Sequence, residues 1–499
     1  MKLNFDAYRD KVYACWTGKN IGGTMGAPFE GKREFIEIDG FTTQAGVVLP
    51  NDDLDLQLVW LYALEQNGPN AISTQMLGEH WLSFITPHWN EYGHGKMNMR
   101  RGLPPPMSGD YLNDWQNSNG AWIHTEIWAC VAPAMPHVAA RYAMMDAMVD
   151  HGTGEGTYAA AFVAAMQSAA FAIPDLKKCI EVGMNAIPEG SRMAKSIEFV
   201  LKCYDEGMSW RDARNAVQQL NADIGNGWFE APSNVSYAVI GLLWGEGDFK
   251  KSMIIAIGCG DDTDCTGATC GATLGILHGT EKIPVDWRKH IGDDIVTISI
   301  ARGNNGRSLP DTCRKLTDRV CAVCPSVLYA NSIRFTNWGH TNVFYEWGVE
   351  LDDNEDIPED CFERFVELAS GRARKWAEDI APNSVMAENL LFTAILSLGK
   401  EPFISRGEEI SARLTLESHC YFESEPRAVE IRWILPEGFV ACGPMSALIK
   451  DFNPHNCGRL TLEYSIRAGE ALAPTNEIVL EIKPVGRCSP LFISFPLFG

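Results

Sequence analysis

The chain has 499 residues and a formal net charge of −22, with the apolar and charged fractions of an ordinary soluble protein. That length allows two or three domains with large cores. The negative charge argues against nucleic acids and anionic membranes as partners, because both need a positive protein surface. No stretch reaches the roughly 18 apolar residues of a membrane-spanning helix, and the N-terminus lacks the apolar segment of a signal peptide. The 15 scattered cysteines suit a reducing cytoplasm.

A first helix is predicted within residues 9–30, and glycines recur along it at every fourth position, at Gly18, Gly22 and Gly26. This spacing places the glycines on one helix face, where a second backbone can approach closely. The proline at position 28 predicts the end of the helix. Glu30 follows directly, and taken alone it would be an ordinary surface carboxylate.

Residues 51–61 predict a second helix, which begins with a cluster of acidic side chains. Asn51 is a favourable N-cap after a proline, and apolar residues follow at helical spacing. Asp52, Asp53 and Asp55 crowd the first turn. Capping needs only one or two of them, and Asp55 is equally interpretable as a solvent-facing residue. Oxygen ligands of this kind suit hard cations such as Mg²⁺ or Mn²⁺.

Two polar segments precede helices in the middle of the chain. The turn at residues 118–121 comes before an apolar helix and could offer backbone N–H groups to an anion. From its residues alone, an ordinary capping loop is the simpler interpretation. His151 precedes an alanine-rich helix predicted for residues 158–172, and such a histidine more often caps or packs than takes part in catalysis.

The strongest signal is the stretch of residues 260–279, where an acidic cluster runs into a second glycine-striped helix. Asp261, Asp262 and Asp264 lie within four residues, and glycines follow at every fourth position from Gly267. Neighbouring unpaired carboxylates repel by about 1–4 kcal/mol per pair at the dielectric of a protein surface. Because one helix cap needs one aspartate, a bound cation explains the cluster better than capping does. We expect the two glycine-striped helices to pack against each other.

The pattern of the chain changes after about residue 340. Helical patterns dominate up to about residue 335, and residues 360–377 predict one further amphipathic helix. Four later segments alternate apolar and polar residues as strands do: 411–416, 428–434, 459–466 and 477–482. We therefore predict an all-α domain at 1–335, an acidic helical connector at 336–385 and a small antiparallel β-sandwich at 386–499. The sandwich carries no acid cluster, so we assign it a packing, partner or substrate-shaping role, which includes contact with a second copy of the chain.

Four separated motifs occur in the same order in one known family of enzymes. The segment from Gly18 to Glu30 is similar to a glycine-rich first helix that ends in a glutamate. Asn51-Asp52-Asp53 stands where that family has Thr-Asp-Asp, and Asn119-Gly120-Ala121 is similar to its Asn-Gly loop. Asp262-Thr263-Asp264-Cys265 stands where it has Asp-Thr-Asp-Thr. Over about residues 8–300 the chain thus resembles the ADP-ribosylglycohydrolase family, which includes dinitrogenase reductase-activating glycohydrolase and the ADP-ribosyl-protein hydrolases.

The resemblance implies an all-helical orthogonal domain with two Mg²⁺ (or Mn²⁺) ions in a cleft, here within a multidomain α + β protein. The ligands that it implies lie at the two acidic helix starts: Asn51, Asp52, Asp53, Asp262, Asp264 and Cys265. It further implies that Glu30 acts on water or on the leaving group, with Asp53 and Asp262 as catalytic members of the metal centre. The residues implied to line an ADP-ribose pocket are Ser118, Asn119, Gly120, Ala121 and His151. Such metals can hold vicinal ribose hydroxyls and polarise water, while one carboxylate handles the proton.

Two positions depart from the family pattern. Asn51 replaces a threonine but keeps an oxygen ligand. Cys265 replaces a threonine whose hydroxyl the family donates to metal. Since sulfur is a poor ligand for a hard cation, either one ion is held more weakly or the hydroxyl of Thr263 or Thr266 compensates. This departure and the additional sandwich leave the substrate open.

The leading hypothesis is a Mg²⁺-dependent hydrolase of an N- or O-glycosidic bond to ADP-ribose or a related ribofuranoside, whether the leaving group is a protein or a small molecule. A second hypothesis is a catalytically weak relative that binds ADP-ribose or another nucleotide in the same cleft. A third is a hydrolase of simple ribofuranosides unrelated to ADP-ribose signalling. Glu30 favours an enzyme, because a protein that only binds has little use for a proton-handling carboxylate there.

Overall fold

The computed structural model describes residues 1–301, 309–332, 349–353, 362–419, 427–449 and 458–499. The N-terminal part is helical apart from a short strand, β1 (Lys2–Asn4). Its α-helices are α1 (Phe5–Gly26), α2 (Asp52–Asn67), α3 (Thr74–Phe84), α4 (Asn90–Arg100), α5 (Met107–Asp110), α6 (Glu126–Val131), α7 (Pro136–Ala147), α8 (Glu155–Ala170), α9 (Leu176–Asn185), α10 (Arg192–Asp205), α11 (Trp210–Leu220), α12 (Ala231–Gly245), α13 (Phe249–Gly258), α14 (Thr263–His278), α15 (Val285–Ile291) and α16 (Cys313–Ser332). The predicted all-helical character of this part is confirmed.

Helices α1 and α14 lie at the centre of this part and touch along their backbones. A methyl group added at Gly18 would lie 2.1 Å from the carbonyl oxygen of Gly271, and one added at Gly22 would lie 2.2 Å from that of Gly267. At Gly26 the obstacle would be the carbonyl oxygen of Thr263, also at 2.2 Å. The contacts run in opposite directions along the two helices, so the end of α1 meets the start of α14. This confirms the predicted packing of the two glycine stripes.

The chain between the helical part and the C-terminal part returns to the N-terminus. Strand β2 (Glu350–Asp352) pairs in parallel with β1. The helix predicted for residues 360–377 is divided into α17 (Phe362–Leu368), a π-helical turn (Ala369–Arg374) and α18 (Lys375–Asp379). Residues 360 and 361 lie outside the described part of the chain.

The C-terminal part forms two antiparallel sheets around one hydrophobic core. Its strands are β3 (Ser384–Glu388), β4 (Phe392–Ser397), β5 (Glu409–Ser418), β6 (Arg427–Ile434), β7 (Val440–Cys442), β8 (Ser446–Ile449), β9 (Arg459–Arg467), β10 (Thr475–Pro484) and β11 (Leu491–Phe498). One sheet has the order β3-β4-β5-β9-β7, and the other has the order β11-β10-β6-β8. Leu414 and Ile466 from the first sheet share a core with Leu480 and Ile493 from the second. The predicted fold of helices followed by antiparallel sheets is confirmed.

The sheets dock against the segment from Leu103 to Tyr111, which comprises part of the loop between α4 and α5, helix α5 and the residue after it. Leu103, Met107 and Tyr111 belong to the hydrophobic core of the sheets. Pro106 forms a β-bridge with Val385. The division into three domains stays a prediction: its boundary between 335 and 336 lies outside the described residues, and its boundary between 385 and 386 falls inside β3.

We expect Gly22→Ala to lower the free energy of unfolding by at least about 3 kcal/mol, the upper end of the usual cost of overpacking. The new methyl group would meet backbone on α14, which cannot rotate away as a flexible side chain can. The matched control is Gly190→Ala, since a methyl group there meets no atom within 4 Å. Equilibrium denaturant unfolding of both variants measures the difference. Equal stabilities would contradict the close backbone contact.

Candidate active site

The start of α2 carries more carboxylates than its cap requires. The side-chain oxygen of Asn51 accepts a hydrogen bond from the backbone N–H of Asp53 at 2.7 Å and thereby caps the helix. Asp55 is buried and accepts from the backbone N–H groups of Ile298 and Ser299, so it fixes a distant loop rather than facing solvent. Asp52 and Asp53 remain, and neither is needed as the cap.

The start of α14 is similar. Asp262 occupies the N-cap position, yet its side chain caps no backbone N–H group. Asp261 points elsewhere, because its carboxylate accepts from the backbone N–H of Phe229 at 3.2 Å and from the amide of Asn234 at 3.1 Å. Capping therefore does not account for Asp262 or Asp264, and the cation interpretation of the cluster keeps its support.

The two acidic helix starts meet at one place, although some 200 residues separate them in the chain. One ligand atom each from Glu30, Asp262 and Asp264 lie within 4.8 Å of one another. A second group under the same limit comprises Asp53, Asp264 and Cys265. Asp264 belongs to both groups, so the geometry offers two adjacent positions that share one carboxylate.

Among the residues that the structure describes, none donates a hydrogen bond to two of the carboxylate oxygens in this site. Oδ1 of Asp262 and Oδ1 of Asp264 are buried and accept no hydrogen bond from the described residues. Asp262 and Asp264 are only 4% and 6% exposed. Buried polar atoms normally have partners, because an unpaired one costs about 1–3 kcal/mol or more when charged. Carboxylate oxygens in such a state fit a hard divalent cation.

The charges of the site repel one another. Burial, followed by the negative charge of Glu30, raises the pKa of Asp262 well above its ordinary value. Burial, followed by Asp262 and Glu30, does the same for the pKa of Asp264. Since metal binding requires ionised carboxylates, a cation would supply the positive charge that these groups lack.

Glu30 is the exposed member of the cluster. The backbone holds it in place, because Gly31 N–H donates to the carbonyl oxygen of Asp261 at 2.9 Å and Lys32 forms a β-bridge with Asp261. Although the residue is solvent-exposed, partial burial of its carboxyl group and the charge of Asp52 raise its pKa. The close packing of α1 on α14 thus ends in a carboxyl group at the mouth of the acidic site.

Behind the acidic site lies a buried ion cluster that the sequence analysis missed. The Nζ atom of Lys19 lies 3.1 Å from Oε1 of Glu126 and 3.4 Å from Oδ2 of Asp53. Gln57 donates to Glu126 at 2.8 Å. Burial lowers the pKa of Lys19, but the charges of Glu126 and Asp53 outweigh it and keep the pKa above its ordinary value. A lysine beside Gly18 on a glycine-striped buried helix was the signal that could have revealed it.

The loop at 118–121 is hydrogen-bonded to the acid cluster and to buried polar side chains around it. The amide of Asn119 donates to Oδ2 of Asp262 at 2.6 Å, which brings this predicted residue directly to the acid cluster. The Ser118 hydroxyl donates to Glu91 at 2.9 Å and lies 3.2 Å from Nε2 of His151. The Nδ1 atom of His151 lies 2.8 Å from a carboxylate oxygen of Asp150.

The remaining residues of this loop are also buried. A methyl group at Gly120 would lie 2.1 Å from Oε1 of Glu91, and Ala121 is 1% exposed. Burial raises the pKa of Glu91 to about 7. His151 is fully buried in the same network, so its side chain supports the loop. Its predicted contact with substrate, like the other predicted site roles, stays a prediction.

Comparisons with known proteins identify the family of the chain. The family model for ADP-ribosylglycohydrolases matches residues 4–324, well over half of the chain. The chain belongs to the ADP-ribosylglycohydrolase family. A solved structure described as an ADP-ribosylglycohydrolase-related protein complex is similar at 17% identity, covering 64% of this chain and 99% of that chain, with a TM-score of 0.41. The crystal structure of a FixG-related protein from Vibrio parahaemolyticus is similar at 8% identity, covering 24% and 97%, with a TM-score of 0.18.

No curated protein matches the chain. Membership in a family of glycohydrolases supports a glycohydrolase-type activity. The family is in general metal-dependent, and the acidic groups described above could hold metal. Among the described helices, none is long and apolar enough to cross a lipid bilayer.

We expect Lys19→Met to lower the free energy of unfolding by about 3–5 kcal/mol, because it leaves two buried carboxylates without their cation. In the Lys19→Met background, adding Glu126→Gln should raise the free energy of unfolding again by about 1–3 kcal/mol, since that change removes one of the unpaired charges. The matched control is Lys177→Met, which breaks an exposed ion pair with Asp205. Lys177→Met should lower the free energy of unfolding by no more than about 1 kcal/mol. If Lys19→Met costs no more than the control, the buried ion cluster does not contribute as described.

Proposed function

We propose that the chain is a Mg²⁺-dependent glycohydrolase that cleaves the N- or O-glycosidic bond of ADP-ribosylated or related ribofuranosyl substrates. The observation that supports this most is the juxtaposition of an exposed carboxyl group, Glu30, with the buried unpartnered oxygens of Asp262 and Asp264. Buried carboxylate oxygens suit hard cations, and a carboxyl group beside them suits proton transfer. Two ions, either Mg²⁺ or Mn²⁺, fit the two adjacent positions that share Asp264.

The proposed ligands are the side chains of the two acidic helix starts: Asn51, Asp52, Asp53, Asp262, Asp264 and Cys265. The Asn51 oxygen already accepts one hydrogen bond, and a carbonyl oxygen has a second lone pair for a ligand role. Ions bound there would polarise water and orient the vicinal hydroxyls of a ribofuranose. Asn119 holds the Asp262 carboxylate in one orientation through its 2.6 Å hydrogen bond.

In this proposal Glu30 handles the proton at the glycosidic bond. Hydrolysis adds a water hydroxyl to the anomeric carbon, and one proton goes to the departing nitrogen or oxygen. The carboxyl group at the exposed edge of the cluster can take a proton from water or give one to the leaving group. Without a bound cation, burial and the charge of Asp52 raise the pKa of Glu30, whereas a cation beside it acts to lower that pKa.

The loop at 118–121 is proposed to bind the substrate through its backbone. The side chains of Ser118 and His151 face each other within the protein, so they set the shape of the loop. Backbone N–H groups then provide the anion contacts, as the sequence suggested. The described cysteines are free thiols, which supports the proposed cytoplasmic location. Contact with a second copy through the sandwich stays a prediction.

We expect Glu30→Gln to lower turnover at least about 100-fold, the minimum usual contribution of a general acid or base. Ligand binding should change little, because glutamine keeps the size and polarity of the side chain. Glu34→Gln is the matched control, an exposed carboxylate on the same loop. Release of free sugar from the substrate, measured by mass spectrometry, and calorimetric binding of ADP-ribose separate the two effects. An unchanged rate in Glu30→Gln would refute the assigned role.

We expect Mg²⁺ to raise the melting temperature of the chelator-treated chain, and Asp262→Asn to remove that increase. At a concentration 100 times the Kd, binding should stabilise the fold by about 2.7 kcal/mol. Asp261→Asn is the matched control, because its side chain hydrogen-bonds to Phe229 and Asn234 instead of joining the cluster. If neither Mg²⁺ nor chelator moves the melting temperature of the unaltered chain, the metal assignment fails.

The substrate class is tested with a panel of ADP-ribosyl and simple ribofuranosyl compounds in the presence of Mg²⁺. Release from ADP-ribosylated proteins or small molecules supports the proposed activity. If free sugar is released only from simple ribofuranosides, the enzyme acts on these compounds and not on ADP-ribosyl substrates. Binding of ADP-ribose without release from any compound would favour a relative that only binds.

A further inference from the structure

The two adjacent positions in the acidic site differ in their donor atoms. One position has only oxygen donors, those of Asp262 and Asp264, and the carboxyl group of Glu30 lies within 4.8 Å of them. The second position combines the oxygens of Asp53 and Asp264 with the sulfur of Cys265. The two positions therefore favour different metals, since thiolate suits borderline ions such as Zn²⁺ and Co²⁺, whereas carboxylate suits Mg²⁺ and Mn²⁺.

The sulfur atom is aimed at the site. The Sγ atom of Cys265 lies 3.2 Å from Oδ1 of Asp53, to which its S–H group donates, and Cys265 is 5% exposed. Oδ1 of Asp264 is buried and accepts no hydrogen bond from the described residues, so a buried carboxylate oxygen in this group is available to a cation. Cys270, further along α14, is equally buried but belongs to no such group among the described residues.

The two threonines that could replace the missing family hydroxyl both hydrogen-bond to backbone carbonyl groups. The Thr263 hydroxyl donates to the carbonyl oxygen of Gly26 at 2.8 Å. The Thr266 hydroxyl donates to the carbonyl oxygen of Thr263 at 3.3 Å. Both hydroxyl protons thus serve the packing of α14, and compensation by either hydroxyl oxygen stays a prediction. Cys265 stands at the family's threonine position, and its sulfur lies in one metal-ligand group with Asp53 and Asp264.

We propose that the position formed by Asp53, Asp264 and Cys265 binds a borderline divalent ion, such as Zn²⁺, through the Cys265 thiolate, beside an oxygen-only position for Mg²⁺ or Mn²⁺. This rests on the proposed function and deepens it by assigning different ions to the two positions. Binding replaces the S–H bond by a metal–sulfur bond and releases one proton to solvent. No atom changes its oxidation state.

The test uses Co²⁺ as a coloured substitute for Zn²⁺ in the full, chelator-treated chain. We expect a thiolate-to-Co²⁺ charge-transfer absorption in the near ultraviolet. Cys265→Ser should abolish this absorption, whereas Cys270→Ser, a buried cysteine on the same helix, should retain it. Co²⁺ that binds without this absorption, or absorption that persists in Cys265→Ser, would overturn the inference. Whether bound Co²⁺ shows the thiolate absorption is decided with the unaltered chain alone, so this part of the test holds even if a variant fails to fold.

Calorimetric titration gives a second readout. Zn²⁺ binding in buffers of different ionisation enthalpy should release about one more proton from the unaltered chain than from Cys265→Ser. The Zn²⁺ affinity of Cys265→Ser should fall at least about tenfold, the lower limit seen even for residues that only support a ligand. If the chain binds Mg²⁺, but Co²⁺ and Zn²⁺ bind without any thiolate signal, this inference is refuted and the proposed function stays intact. A chain that binds none of these ions would refute both.

Discussion

The contact between the backbones of α1 and α14 is the constraint on which the active site depends. Glycines on both helices allow carbonyl oxygens to approach where side chains would otherwise stand. Because the helices run in opposite directions, the last turn of α1 reaches the first turn of α14. Glu30, just past the end of α1, therefore lies beside Asp262 and Asp264. Each glycine inside a helix costs about 1 kcal/mol of helix propensity. In return, these glycines allow the backbones of α1 and α14 to approach closely.

The second organising feature is the distribution of charge across the site. On its buried side, Lys19 neutralises part of the charge of Asp53 and Glu126. Near the exposed Glu30, burial and the repulsion among the carboxylates raise the pKa values of Asp262 and Asp264. The protein thus compensates part of the charge of Asp53 itself, and in the proposed function a bound cation relieves the repulsion among Asp262, Asp264 and Glu30.

Much of this arrangement could be predicted from local patterns, and the failures have definite causes. The glycine spacing predicted the contact of α1 with α14, and alternation predicted strands β5, β6, β9 and β10. Strands β3 and β4 were missed because they are buried on both faces and do not alternate. The role of Lys19 was missed because its two partners are distant in the chain. The fates of the Thr263 and Thr266 hydroxyls depend on tertiary packing, which no local pattern records.

The central claim is that the acidic starts of α2 and α14 together hold two divalent cations. Diffraction from crystals soaked in Mn²⁺, recorded at an energy where manganese scatters anomalously, tests it directly. The account predicts anomalous peaks beside the Asp264 carboxylate, with the stronger peak at the oxygen-only position near Asp262 and the weaker one at the position that includes Cys265. If thoroughly soaked crystals show no peak in this cleft, or show peaks only at other acidic surfaces, the claim is contradicted.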